Sequence, residues 1–193
     1  MTALLHSFQE TARITAWMAS DEVIQATTIE AVRILCQTFT KGNKVLICGN
    51  GGSACDAMHF AEEFTGRYRK NRKPLPVMSF ADPSHITCVA NDFGFSEIFS
   101  RSVEAYGKPG DVFIGISTSG NSENVIKALR KAKVQGLVTL ALLGKDGGKL
   151  AGEADLEFRI PALTSDRIQE AHMTLLHVIV EGVERSLFPE NYV

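Results

Sequence analysis

Long apolar runs are absent from this chain. The longest, Leu137 to Gly144, is far too short to span a bilayer. The opening residues mix Glu10 and Arg13 with apolar positions and lack the apolar core of a secretory signal. A charge surplus is missing too: a net charge of -2 gives no electrostatic reason to bind nucleic acid. Cysteine is sparse and unpatterned. Cys36, Cys48, Cys55 and Cys88 form no CxxC, so reduced thiols in a cytoplasmic protein are expected, with packing roles rather than catalysis. Internal repeats, low-complexity tracts and linkers are also absent. The expectation is one soluble domain over residues 1–193, whose 45% hydrophobic content suffices for a full core.

Residues 2 to 40 read as a pair of helices. Leu4, Leu5, Phe8, Ala12 and Thr15 follow helical spacing, as do Val23, Ile24, Thr27, Thr28, Ala31, Leu35 and Phe39. Ser20-Asp21 supplies a cap between them, and Lys41-Gly42-Asn43 ends the helical region. Apolar runs at 44–48, 76–80, 111–116, 137–143 and 155–160 then read as buried strands. Helical stretches at 53–67, 97–106 and 122–134 separate most of them, and a long helix runs from Asp166 to Leu187. Strands that are apolar throughout and alternate with helices predict an α/β fold, a parallel sheet covered on both faces. The N-terminal helical pair is left over for assembly.

Two of the strands end in Gly/Ser loops that open helices. The first is Gly49-Asn50-Gly51-Gly52-Ser53, and the second is Ser117-Thr118-Ser119-Gly120-Asn121-Ser122. Backbone N–H groups and hydroxyls at a helix N-terminus are suited to an anion, so a phosphorylated small molecule held from two sides is expected. Gly49 to Ala54 formally satisfies the dinucleotide pattern G-x-G-x-x-A. That reading wants an acidic residue about 20 positions on, and Asp82 lies well beyond it. It also leaves the second loop unexplained. A plain N-cap needs only one hydroxyl, whereas the second loop carries four.

Candidate acid/base groups lie on the helices. His59 and Glu63 are four apart and share a helix face, and Glu62 serves almost as well by spacing. They could bind a metal, pair with each other, or merely meet at the surface. His177 lies among Leu175, Leu176, Val178 and Ile179, a setting that disfavours its charged form, and a core histidine bound to a carbonyl fits equally. Gln169 and Glu170 both compete for its stripe. Asn91-Asp92 reads as a polar connection, an Asx turn at a strand exit or a pair able to meet sugar hydroxyls.

The segments CGNGGSACDAMHFAEEFTGRY, ANDFGF, GISTSGNSENV, GKDGGKLAG and DRIQEAH, in that order, resemble the sedoheptulose 7-phosphate isomerases of the sugar isomerase (SIS) domain family. The resemblance runs from about Lys44 to His177. It implies a three-layer αβα sandwich around a five-stranded parallel sheet, and a homotetramer with sites between subunits. It implies a phosphate held by Ser53, Ser117, Thr118, Ser119 and Ser122, with Asn50, Gly51 and Gly52 lining the first loop. Asn91 and Asp92 would meet sugar hydroxyls, with Asp166 nearby. Glu63 and His177 match the family's acid/base pair, and His59, Glu63, Gln169 and His177 its zinc ligands. A tetrameric scaffold that associates with the replication initiator resembles this chain over both loops, at Arg167-Ile168-Gln169-Glu170 with His172, and at the ending Ser186-Leu187-Phe188-Pro189, but lacks the counterparts of Glu63 and His177. A sugar-phosphate-sensing regulator is the third possibility.

Overall fold

The structure is a computed structural model that describes residues 2–193. Two long helices, α1 (Thr2–Ser20) and α2 (Glu22–Thr40), open the chain. They are separated at Asp21, whose carboxylate accepts from the Ile24 N–H at 2.9 Å and so satisfies one of the helix's orphan donors. The alternating region follows: β1 (Val45–Gly49), α3 (Gly52–Thr65), β2 (Val77–Ser79), α4 (Pro83–Phe93), α5 (Ile98–Tyr106), β3 (Val112–Ser117), α6 (Glu123–Val134), β4 (Val138–Gly144) and β5 (Leu156–Ile160). The helix α7 (Ser165–Leu187) and a short 3-10 turn (Pro189–Tyr192) close it.

The strands form one fully parallel sheet in the order β2-β1-β3-β4-β5. Side chains alternate across it. Val45, Ile47, Ile114, Leu140 and Leu142 face α1, α2, α3 and α7, while Leu46, Cys48, Phe113, Ala141 and Leu143 face α4, α5 and α6. Both faces are therefore covered, which is why β1 and β3 are buried at every position, as their apolar runs predict. From β1 the chain first builds outward to β2 and then returns to β3 on the other side. The crevice above the carboxyl ends of β1 and β3 is thus a topological switch point, the place where open parallel sheets hold ligands. Both Gly/Ser loops leave the sheet there.

One predicted connection is a helix. Asn91 and Asp92 do not form an Asx turn at a strand exit; they occupy the last turn of α4. Asp82 starts that helix by accepting from the His85 N–H at 2.7 Å, and Pro83 fills its first turn, where a missing N–H costs nothing. This use of Asp82 as a cap also removes it from any ribose-binding role.

Candidate active site

The first loop is shaped by close approach. A Cβ on Gly49 would lie 2.7 Å from the Ser53 Cβ, and one on Gly52 would lie 2.6 Å from the amide atoms of Gln169 on α7. The backbone of the loop therefore rests directly against α7. Ser53 is buried in the first turn of α3.

The second loop is a knot of small polar groups. The Ser117 hydroxyl donates to the Ser122 hydroxyl at 3.0 Å, and those of Thr118 and Ser165 meet at 3.1 Å. Ser119 Oγ accepts from the Asn121 N–H at 3.2 Å. Ser122 holds the N-cap position of α6, yet its side chain makes no capping bond, so its hydroxyl is not consumed by the helix. That separates this loop from an ordinary cap. The loops are joined by a residue that sequence reasoning missed. Asn50 and Asn124 exchange two amide hydrogen bonds, each 2.9 Å, and Asn124 Oδ1 also accepts from the Val125 N–H at 2.9 Å.

Three side chains converge on α3 and α7, the helices that carry and brace the first loop. His59 Nε2 lies 3.2 Å from Glu63 Oε1 on α3 and 3.4 Å from Nε2 of His177 on α7. His177 Nε2 lies 3.9 Å from Glu63 Oε1 within this chain. A tetrahedral zinc bound at about 2.0–2.1 Å separates its ligand atoms by about 3.3–3.4 Å. Two of the three spacings match that edge, and the donor set of two imidazoles and a carboxylate suits zinc. This is the one group of three or more His, Cys, Asp or Glu side chains with metal-holding geometry among the described residues. Glu62 stays outside it, 3.7 Å from His59 Nε2 and largely exposed. Burial, then the neighbouring His59, lowers the His177 pKa and keeps the ring neutral at pH 7. Tyr68 lies alongside that ring at 5.9 Å between centroids.

Residues 11–144 match the SIS domain family. The phosphoheptose isomerase of Fusobacterium nucleatum is 63% identical over 190 residues, 98% of each chain. The chain belongs to the SIS-domain phosphoheptose isomerases. Two solved structures agree. That of the phosphoheptose isomerase from Neisseria gonorrhoeae superposes with a TM-score of 0.88 at 37% identity, covering 95% of this chain and 97% of the other. Its counterpart from Francisella tularensis gives 0.90 at 31% identity, with the same coverage.

The remaining residues singled out by the SIS-family resemblance are spread around this core. The Gln169 amide rests on Gly52, about 12 Å of helix rise before His177, so it braces the loop rather than joining the three-residue cluster. Glu170 turns the other way and accepts from Thr11 of α1 at 2.8 Å. Asp166 is exposed in the first turn of α7, and hydrogen bonds from Thr164 and Arg167 hold its carboxyl down to about 2. Asn91 donates to Asp92 at 2.8 Å, and both are exposed. Asp56, one turn before His59, has a buried Oδ2 without a hydrogen-bond partner, and burial raises its pKa to about 6. No signal in its sequence context marks that strain.

Proposed function

We propose that the protein isomerises sedoheptulose 7-phosphate to D-glycero-D-manno-heptose 7-phosphate, for bacterial surface-glycan heptose. The observation that carries this reading is the convergence of Glu63, His59 and His177 on α3 and α7, the helices that carry and brace the first Gly/Ser loop at the switch point of the sheet. The 63% identity to a protein named phosphoheptose isomerase supports the substrate.

The ketose-to-aldose change removes a proton from C1 and returns one to C2 through an enediol. Ser53, Ser117, Thr118, Ser119 and Ser122 hold the phosphate, with Asn50, Gly51 and Gly52 presenting backbone to it. Asn91, Asp92 and Asp166 meet the sugar hydroxyls. Glu63 takes the C1 proton, and neutral His177 carries protons between the two oxygens. His59, Glu63 and His177 would hold zinc, while Gln169, the fourth ligand implied by the resemblance, rests against Gly52 of the first loop. Zinc held by these residues would supply Lewis-acid polarisation of the substrate carbonyl.

Exposed Leu4, Leu5 and Phe8 on α1, and Val23 and Ile29 on α2, support a homotetramer built on the N-terminal helices. Ile29 lines an apolar groove of about 510 Å³ between α1, α2 and α7. The whole chain then acts as one domain in the cytoplasm; none of its described helices is long and apolar enough to cross a membrane.

The test is direct. Wild type incubated with sedoheptulose 7-phosphate and zinc yields the heptose 7-phosphate, and Glu63→Gln loses about 10²- to 10⁴-fold in kcat with an unchanged circular dichroism spectrum. Wild type that is inactive with and without zinc removes this reading and leaves the scaffold or the sensing regulator.

A further inference from the structure

A buried ion pair lies directly beneath the acid/base cluster. Arg72 comes from the segment between α3 and β2, and its side chain is 1% exposed; its partner, Glu184 on α7, is 0% exposed. Arg72 Nε donates to Glu184 Oε1 at 2.6 Å. Nη2 donates to the backbone carbonyl of Glu63, also at 2.6 Å, and Nη1 to those of Phe64 at 2.6 Å and Gly66 at 3.2 Å. These carbonyls belong to the last turn of α3 and its C-cap, where helices leave acceptors unpaired. The other Glu184 oxygen accepts from the Tyr192 hydroxyl at 3.0 Å, so the final 3-10 turn seals the pair from solvent.

The placement goes beyond fold maintenance. Glu184 is seven residues after His177, two turns along the same stripe of α7. Arg72 thus grips the backbone of Glu63 with one nitrogen and the helix of His177 with another. A planar guanidinium fork fixes both directions at once, which a lysine ammonium does not. We infer that Arg72, with Glu184, is a positioning residue that sets the spacing of Glu63 and His59 on α3 against His177 on α7. This inference rests on the isomerase reading for its kinetic consequence, but not for its geometric one.

Three variants test it: Arg72→Lys, Arg72→Met and the double Arg72→Met/Glu184→Leu. Arg72→Met leaves a buried carboxylate unpaired and is expected to be the least stable; the double variant removes both charges and regains stability. Positioning predicts that stability and function part company. In the double variant and in Arg72→Lys, kcat falls about 10- to 100-fold while KM stays within about twofold, because the phosphate loops are untouched. Zinc affinity, read by competition with a chromophoric chelator, weakens by about 10- to 100-fold in both. A double variant that melts like wild type and keeps wild-type kcat and zinc affinity overturns the inference and leaves Arg72 a plain staple. If the double variant does not fold, Arg72→Lys decides alone by the same two readouts. Wild type that binds zinc without turnover removes the isomerase reading only; the zinc-affinity ratio then still decides on Arg72.

Discussion

Asn50 at the end of β1 and Asn124 in the first turn of α6 form a closed pair of amide hydrogen bonds across the switch point, 74 residues apart in sequence. Each amide satisfies the other, so neither needs water, and Asn124 is 2% exposed. The two Gly/Ser loops are therefore tied directly to each other. Asn124→Ala orphans the Asn50 amide and is expected to cost about 1–3 kcal/mol in urea unfolding. It should also raise KM for the sugar phosphate by more than it lowers kcat. Combining it with Asn50→Ala should cost less than the sum of the two, since both remove one interaction. Additive losses would show that the pair does not couple the loops.

Gly120 is fixed by a different constraint. It adopts φ +64, and a Cβ there would come within 1.8 Å of the Gly147 carbonyl oxygen. Its own carbonyl accepts from the Leu150 N–H at 3.1 Å, while Asn121 Oδ1 accepts from the Lys149 N–H at 3.1 Å. The segment after β4 thus braces the hydroxyl loop from outside. Gly120→Ala is expected to destabilise by about 3 kcal/mol or more, adding left-handed strain to a backbone clash. A loss under about 1 kcal/mol, measured by urea unfolding, would mean the brace yields easily.

The sheet, its parallel sense and most helix spans are readable from sequence because buried strands and amphipathic helices carry strong periodic signals. Helix α4 is not. Its apolar positions Ile86, Val89, Ala90 and Phe93 keep helical spacing, but they are scattered among polar residues and only Val89 is fully buried. The signal that could have found it is local: Asp82-Pro83, a cap followed by proline in the first turn. Residues within one helix are equally legible, which is why His59 and Glu63 are found together. Contacts between distant segments are not. Nothing in the order of residues says that Asn124 meets Asn50, that Arg72 meets Glu184, or that the Gln169 amide settles on Gly52. The two histidines of α7 illustrate the same limit. His172, not His177, is the core histidine bound to a carbonyl, and only the packing of α7 on β4 separates their roles.

Zinc at His59, Glu63 and His177 would join α3 to α7 and so stabilise the fold. At free zinc about 100 times its Kd the gain is about 2.7 kcal/mol. For a chain of this size that corresponds to a rise in Tm of about 5–10 °C over the metal-depleted protein. His59→Gln should lose most of the rise. An equal rise in wild type and variant would place the metal elsewhere.

His172 sets the response to acid. It is fully buried on α7, its Nε2 lies 3.0 Å from the Leu143 carbonyl oxygen, and its Nδ1 has no partner. Burial pushes its pKa down from 6.5 to about 4, so the ring is neutral in the folded protein near pH 5, whereas in the unfolded chain it takes up a proton near pH 6.5. Between those values the unfolded state binds more protons, so this contribution is complete above pH 6.5 and is lost as the pH falls toward 4. From pH 6.5 to 5 the loss approaches about 2 kcal/mol. His172→Gln cannot titrate, so its urea midpoint should fall less than that of wild type between pH 7 and pH 5. Parallel slopes would assign the acid sensitivity to other groups. The variant should be the less stable protein at pH 7, where the neutral imidazole fits its cavity, and should close the gap as the pH drops.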